Sequence, residues 1–214
     1  MFELRPYQAE AKQAILAAWD EGYRKTLLVL PTGCGKTVVF SSVTENQVNK
    51  GHRVLIMAHR GELLDQAADK LKEASGLDSV LEKAESTSLG SFLPVTVGSV
   101  QSLAQEKRLA RFPNNYFQDI IVDEAQFLTK EEVYYLVHLV DDCNIPVICY
   151  GLKADFKGEL FPGSYQLLVL ADKLEEVKTI CWCGKKAAFN ARFDEHGRVV
   201  KEGAQVVLGA NDKY

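Results

Sequence analysis

The sequence predicts an α/β protein: a mostly parallel sheet covered by helices on both faces, with a small β-rich appendage at the C-terminal end. Three observations predict it. Apolar runs recur along the chain, at TLLVL (26–30), RVLIMAH (53–59), IIVD (120–123) and IPVICYGL (145–152). Strands that are apolar throughout belong in a sheet buried on both sides. Stretches with helical spacing at 6–22, 38–50, 61–74 and 130–143 separate those runs, the rhythm of a doubly covered parallel sheet. After residue 172 the texture changes to Gly turns and short alternating segments.

Taken in order, residues 6–22 carry apolar positions at helical spacing and end at Gly22, which predicts one amphipathic helix. The strand at 26–30 feeds a Gly-rich turn, and VVFSSVTENQVNK (38–50) reads as the helix after it. A buried strand at 53–59 precedes GELLDQAADKLKEA (61–74), rich in strong helix formers. Residues 75–94 are polar and Ser-rich, giving a loop or a weakly formed strand. VTVGSVQSL (95–103) reads as strand then turn, and FQDIIVDEA (117–125) as a strand ending in acids. KEEVYYLVHLVDDC (130–143) is a helix, and 145–152 another buried strand. The expected organisation is a core over residues 1–172 and a small appendage over 173–214.

Composition sets limits on function. With 214 residues, 47% apolar and 25% charged, the chain has the make-up of an ordinary globular protein. No apolar run approaches the roughly 18 residues that cross a bilayer. The N-terminus MFELRPYQ has early acids and no apolar leader, so a cytoplasmic protein without a membrane partner is expected. Residues 1–117 hold 14 Lys/Arg and 13 Asp/Glu, whereas 118–214 hold 11 and 16. Neither half is basic enough for a dedicated nucleic-acid binder, which leaves weak contact through a local patch. Five cysteines, an odd number without an export signal, argue against a disulfide framework.

LPTGCGKT (30–37) lies between a predicted strand and a predicted helix, the context in which a Gly-rich loop cradles phosphates. Pro31, Thr32, Gly33, Cys34, Gly35, Lys36 and Thr37 are the candidate ATP-binding residues. Gly33 and Gly35 let backbone N–H groups turn toward phosphate oxygens, and the following helix adds its positive end. Lys36 is expected at the β- and γ-phosphates and the Thr37 hydroxyl on Mg²⁺. IIVDEAQ (120–126) supplies the partner signal: an apolar strand delivers Asp123 to its carboxyl end, where open α/β sheets place ligands. Asp123 is the second candidate Mg²⁺ residue, and Glu124 the candidate base for whichever nucleophile is present.

These motifs carry two resemblances. LRPYQ (4–8), LPTGCGKT (30–37), AHRGELLDQ (58–66) and TVGSVQSL (96–103) resemble, in order, motifs of the first RecA-like lobe of superfamily 2 helicases of the DEAD/DEAH group. That resemblance implies a P-loop NTPase core, with Gln8 and Arg5 at the adenine and with Arg60, Gln66 and Ser99 facing a nucleic-acid strand. From about residue 118 the chain instead resembles the C-terminal half of bacterial thymidine kinases. VDEAQFL (122–128), PVICYGLKADFKGELFPGS (146–164), ADKLEEVKTICWCGKKA (171–187) and EGAQVVLGANDKY (202–214) carry this second likeness. A helicase has Ser-Ala-Thr or Thr-Ala-Thr on the strand after the acids, and ICYGLKADF does not match. The two likenesses meet near residues 117–122, on the acidic strand.

The kinase resemblance implies that Glu124 takes the proton of the thymidine 5′-hydroxyl while Lys36 and Mg²⁺ stabilise the transferring phosphoryl group. It places Gln126 with the ATP-binding residues and Phe127 and Phe156 along the nucleoside pocket. Val206, Val207, Leu208, Gly209 and Tyr214 would form a segment closing over thymine. It also implies a homo-oligomer and a structural zinc, for which Cys181 and Cys183 supply two of the four ligands such a site takes. Ala154 stands where that family has Thr. The helicase resemblance, limited to one lobe, implies ATP binding, slow hydrolysis and weak strand contact. Three readings stay open: a thymidine kinase-like phosphotransferase, a helicase-type ATPase, and a recombined scaffold that binds ATP alone.

Overall fold

The computed structural model describes residues 3–30, 33–59, 64–83, 86–103, 108, 111–113, 115–177, 184–185 and 190–205. Its centre is a seven-stranded sheet with every neighbouring pair parallel. The strands are β1 (Lys25–Val29), β2 (Val54–Ala58), β3 (Ser79–Glu82), β4 (Val95–Ser99), β5 (Asp119–Asp123), β6 (Val147–Gly151) and β7 (Lys173–Glu176). They lie in the order β3-β4-β2-β5-β6-β1-β7.

The apolar strands sort their side chains with period two. Leu28, Leu30, Ile56, Ile121, Ile148 and Tyr150 face one layer of helices. That layer is α1 (Pro6–Asp20), α2 (Lys36–Asn49) and α3 (Leu64–Ser75), which contribute Ile15, Phe40, Val43 and Leu71. Leu27, Val29, Leu55, Met57, Val122 and Cys149 face the opposite layer. There the short α4 (Val100–Leu103), α5 (Lys130–Asp141) and α6 (Pro162–Leu170) cover the sheet, with Val133, Leu136 and Leu167 in the contact. Each such fully buried side chain contributes roughly 1.5–3 kcal/mol. A one-residue slip of any central strand would exchange the two layers.

Local chemistry sets the helix ends. Pro6 opens α1, where its missing N–H costs nothing. Gly22, at φ 95°, closes it with bonds from Gly22 N to Trp19 O (3.1 Å) and from Tyr23 N to Ala18 O (2.9 Å). Thr129 caps α5 reciprocally: its Oγ1 accepts from Glu132 N at 3.2 Å, and Thr129 N donates to Glu132 Oε2 at 2.8 Å.

Of the two readings of the polar segment 75–94 the structure takes the strand, β3, which joins the sheet edge beside β4. The structure goes beyond the sequence reading in two places. PGSYQLLVL (162–170), which the sequence reading assigns to no helix or strand, is helix α6. Its starting Pro supplies a good first turn, and Leu167 buries against the sheet. The sheet also runs past the boundary expected at residue 172, because β7 pairs with β1 from Thr26↔Lys173 to Val29↔Glu176. The β-rich texture beyond it holds an antiparallel pair, β8 (Arg192–Phe193) with β9 (Val199–Val200). Asp194 Oδ1 tightens the turn between them by accepting from His196 N (2.9 Å) and Arg198 N (2.8 Å). Among the described residues no helix is long and apolar enough to cross a membrane.

Candidate active site

The Gly-rich loop leaves β1 and enters α2 through Gly35, which adopts the left-handed conformation at φ 74°. Two properties reserve that position for glycine. The positive φ disfavours any side chain, and a Cβ there would lie 2.5 Å from Gln8 Nε2. Gly33 is also left-handed, at φ 78°. From behind, α1 holds the loop: the Tyr7 hydroxyl and Gln8 Nε2 both donate to the Cys34 carbonyl, at 3.2 and 3.0 Å. Gln8 Oε1 in turn accepts from Arg5 N at 3.0 Å.

Gln8 is therefore buried and bonded through both ends of its amide to the N-terminus of α1 and to the loop. Arg5 is exposed and close enough to influence the Cys34 thiol. That thiol is pushed up by burial, against the opposing pull of Arg5 and Lys36. Pro31 and Thr32 lie outside the described residues. Tyr7 was not anticipated. Its place one residue before Gln8 in the LRPYQ segment was the available signal.

The acids stand at the end of β5, two strands from the loop strand, with β6 between them. At the usual spacing near 4.8 Å per strand, a gap of about 10 Å separates β1 from β5, and a lysine side chain can bridge it. Lys36 Nζ lies 3.1 Å from Glu124 Oε1. The chain turns sharply after the strand, with Glu124 left-handed at φ 52° and ψ 39° and a 3₁₀ turn over Ala125–Phe127. Asp123 Oδ1 accepts from Glu124 N at 2.9 Å, which fixes the first acid against the second.

Burial first, and then the Glu124 charge, push the Asp123 carboxyl up to about 6, with Lys36 opposing both. Gln126 is 1% exposed. Its Nε2 donates to Glu124 Oε2, and its Oε1 accepts from Leu152 N at 3.1 Å. The residue expected to touch ATP is thus directed at the Glu124 carboxylate and at the end of β6.

The aromatic candidates fall into two contact sets. Phe127 packs edge-on against Phe161 (5.7 Å between ring centroids) and at a tilt of 38° against His59 at the end of β2 (5.6 Å). Phe156 is buried, with the Arg192 guanidinium 3.8 Å above its ring. Arg192 also donates to the carbonyls of Ala204 (2.9 Å) and Gln205 (3.2 Å), tying the β8–β9 segment together, and its contact with Phe156 joins that segment to the loop after β6. Ala154 forms a bridge with Leu160 in that loop.

Of the residues expected to face a nucleic-acid strand, Gln66 is exposed on α3. Ser99 is buried and caps α4 by accepting from Ser102 N at 3.0 Å, and Arg60 lies outside the described residues. So do Cys181, Cys183, Val206, Val207, Leu208, Gly209 and Tyr214. Among the described residues no group of three or more His, Cys, Asp and Glu is arranged to hold a metal ion.

The site still fits MgATP. A carboxyl raised by burial beside a second acid is where a divalent cation relieves charge. Thr37 lies in the first turn of α2, whose N-terminal end follows the two left-handed glycines.

Comparison with known proteins divides the chain as the motifs do. A family model described as thymidine kinase matches residues 92–214. One described as type III restriction enzyme, res subunit, matches residues 1–142. The chain belongs to both families. They overlap from residue 92 to residue 142, a stretch that includes β5 and its acids. A thymidine kinase of Vibrio vulnificus is 50% identical over 133 residues, covering 55% of this chain and 69% of that protein. One of Pasteurella multocida is 59% identical over 95 residues, covering 44% of this chain and 50% of that protein.

Two solved structures share the fold. T4 UvsW superposes with a TM-score of 0.64 at 17% identity, over 83% of this chain and 35% of that one. A second structure, of the UvsW helicase from bacteriophage T4, superposes at 0.61 and 17% identity, over 82% of this chain and 60% of that one. At that identity the likeness is one of fold.

Proposed function

We propose that this chain transfers the γ-phosphoryl group of ATP to the 5′-hydroxyl of thymidine. The observation that carries the proposal is the Lys36–Glu124 contact of 3.1 Å, which brings the lysine of the N-terminal loop to the acid of the kinase-like segment. The 50% identity to thymidine kinases supports the choice of acceptor.

In this reading the Gly33–Gly35 backbone and the N-terminus of α2 bind the phosphates, and Lys36 leaves Glu124 to neutralise charge on the transferring group. Glu124 then accepts the 5′-hydroxyl proton as that oxygen bonds to the γ-phosphorus and the bond to the β–γ bridging oxygen breaks, releasing ADP. Thr37 and Asp123 would hold a magnesium ion, which would supply charge neutralisation at the phosphates. Phe127, in its contact with Phe161 and His59, offers an apolar wall that helps keep water from competing with the hydroxyl.

A second reading follows from the res-subunit match over residues 1–142: an ATPase of helicase type that contacts nucleic acid weakly. ADP release measured with thymidine, with single-stranded DNA and with neither separates the two. Thymidine-dependent release with formation of thymidine monophosphate is expected. DNA-stimulated release indifferent to thymidine would favour the second reading, and MgATP binding without turnover would leave a scaffold that binds nucleotide.

A further inference from the structure

We infer that Gln126 is a positioning residue for the catalytic carboxylate, holding Glu124 from the end of β6. The inference rests on the reading of Glu124 as the base. Glu124 is left-handed, a conformation that a non-glycine residue adopts at a cost and keeps where its surroundings hold it. Its carboxylate has two oxygens and two partners. Oε1 faces Lys36 at 3.1 Å, and Oε2 accepts from Gln126 Nε2. Lys36 is also the side chain the phosphates will claim, so its hold on Glu124 is released when nucleotide binds. The hold of Gln126 does not depend on nucleotide, because the other end of its amide is bonded to the Leu152 backbone N–H at 3.1 Å.

The space for this amide is made by glycine. A Cβ on Gly151 would lie 2.4 Å from Gln126 Oε1. A Cβ on Gly163, in α6, would lie 2.6 Å from Ala125 O and 2.8 Å from both Gln126 O and Leu128 O. The 3₁₀ turn that bears Gln126 is thus clasped between the end of β6 and the start of α6. A buried primary amide with its oxygen fixed on a strand end and its nitrogen on a carboxylate is a strut. It keeps one oxygen of Glu124 occupied and turns the other toward the loop.

Two substitutions separate the strut from the packing. Gln126→Glu keeps the shape and the acceptor for Leu152 N but removes the donor to Glu124. Gln126→Leu removes both bonds. The expected result for Gln126→Glu is a fall in kcat of about tenfold or more, with KM for MgATP and thymidine within about twofold, since the loss lies in orientation at the reacting atoms. Gln126→Leu should lose at least as much kcat and also melt at a lower temperature. A folded Gln126→Glu protein with unchanged kcat would overturn the inference. So would a rise in KM for MgATP at unchanged kcat, which would make Gln126 a nucleotide contact.

A readout independent of turnover distinguishes failure here from failure of the proposed activity. In the unliganded protein the Gln126 side-chain amide protons should give shifted, slowly exchanging NMR signals that collapse in Glu124→Ala. Signals unaffected by Glu124→Ala would sink the strut even if the protein were an active kinase. Their collapse would sustain it even if thymidine were not the acceptor.

Discussion

The two sides of the site are supported in different ways. The phosphate loop is held from behind by α1, through two neutral donors, Tyr7 and Gln8, that converge on the single carbonyl of Cys34. The acidic turn is held by steric closure and by a charge-assisted bond: Gly151 and Gly163 admit backbone and amide at distances no side chain would tolerate, and Gln126 engages the Glu124 carboxylate. Every residue supporting the loop lies in the segment matched by the res-subunit family alone. The acids and the turn after them lie where both models match, and Gly151 and Gly163 lie in the segment matched by thymidine kinase alone. The two sets of supports meet at the Lys36–Glu124 ion pair.

The comparison predicts a graded set of outcomes. Glu124→Gln, which removes the base and leaves the phosphate loop intact, should lower kcat by about 10²–10⁴ while MgATP still binds. Steady-state kinetics together with nucleotide titration check both parts. Lys36→Ala should lower kcat by about 10²–10³ and weaken MgATP binding as well, since a preorganised charge at the transferring group is lost.

At the supports, Gly163→Ala should cost about 1–3 kcal/mol in denaturant unfolding, because a methyl group must displace three backbone carbonyls. Its kcat should fall with it. Gln8→Ala should be milder. Loss of one neutral hydrogen bond to the loop, worth about 1 kcal/mol, should appear as a several-fold rise in KM for MgATP with kcat little changed. Equal effects of Gly163→Ala and Gln8→Ala on kcat would remove the distinction between a clasped turn and a propped loop.

Much of this was readable in the chain. The burial of VLIMA and VICYG on both faces, the Gly-rich loop between strand and helix, and the acids at a strand end follow from side-chain chemistry over a few residues. What escaped the sequence was set by distant partners. The Leu152 N–H that fixes the Gln126 amide is brought beside it by β6. The Arg192 guanidinium that lies over the Phe156 ring comes from 36 positions later in the chain. β7 looks like the start of an appendage because its KLEE sequence is polar, as suits an edge strand, yet it pairs with β1 along its length. Ser99 looks free to meet a strand until its hydroxyl is seen capping α4.

The raised Asp123 carboxyl adds a smaller, pH-dependent effect. Its folded value, about 6, lies above the ordinary 3.8. The folded state therefore binds the proton more tightly, and this group's contribution to stability is fully present below about 4 and falls as pH rises through 6. A divalent cation offsets that loss. Magnesium should accordingly raise the melting temperature more at pH 7.5 than at pH 5, as thermal scans with and without the ion would record.

The most direct measurement of a shared site is the coupling between its two halves. ATP turnover is compared for Lys36→Ala, Glu124→Gln and the double variant, using whichever acceptor gives the highest rate. Residues that act on one triphosphate are strongly non-additive, so the double variant should be no more than a few-fold slower than the slower single one. Losses that multiply, as for independent sites, would contradict the convergence of the two ancestries on one nucleotide.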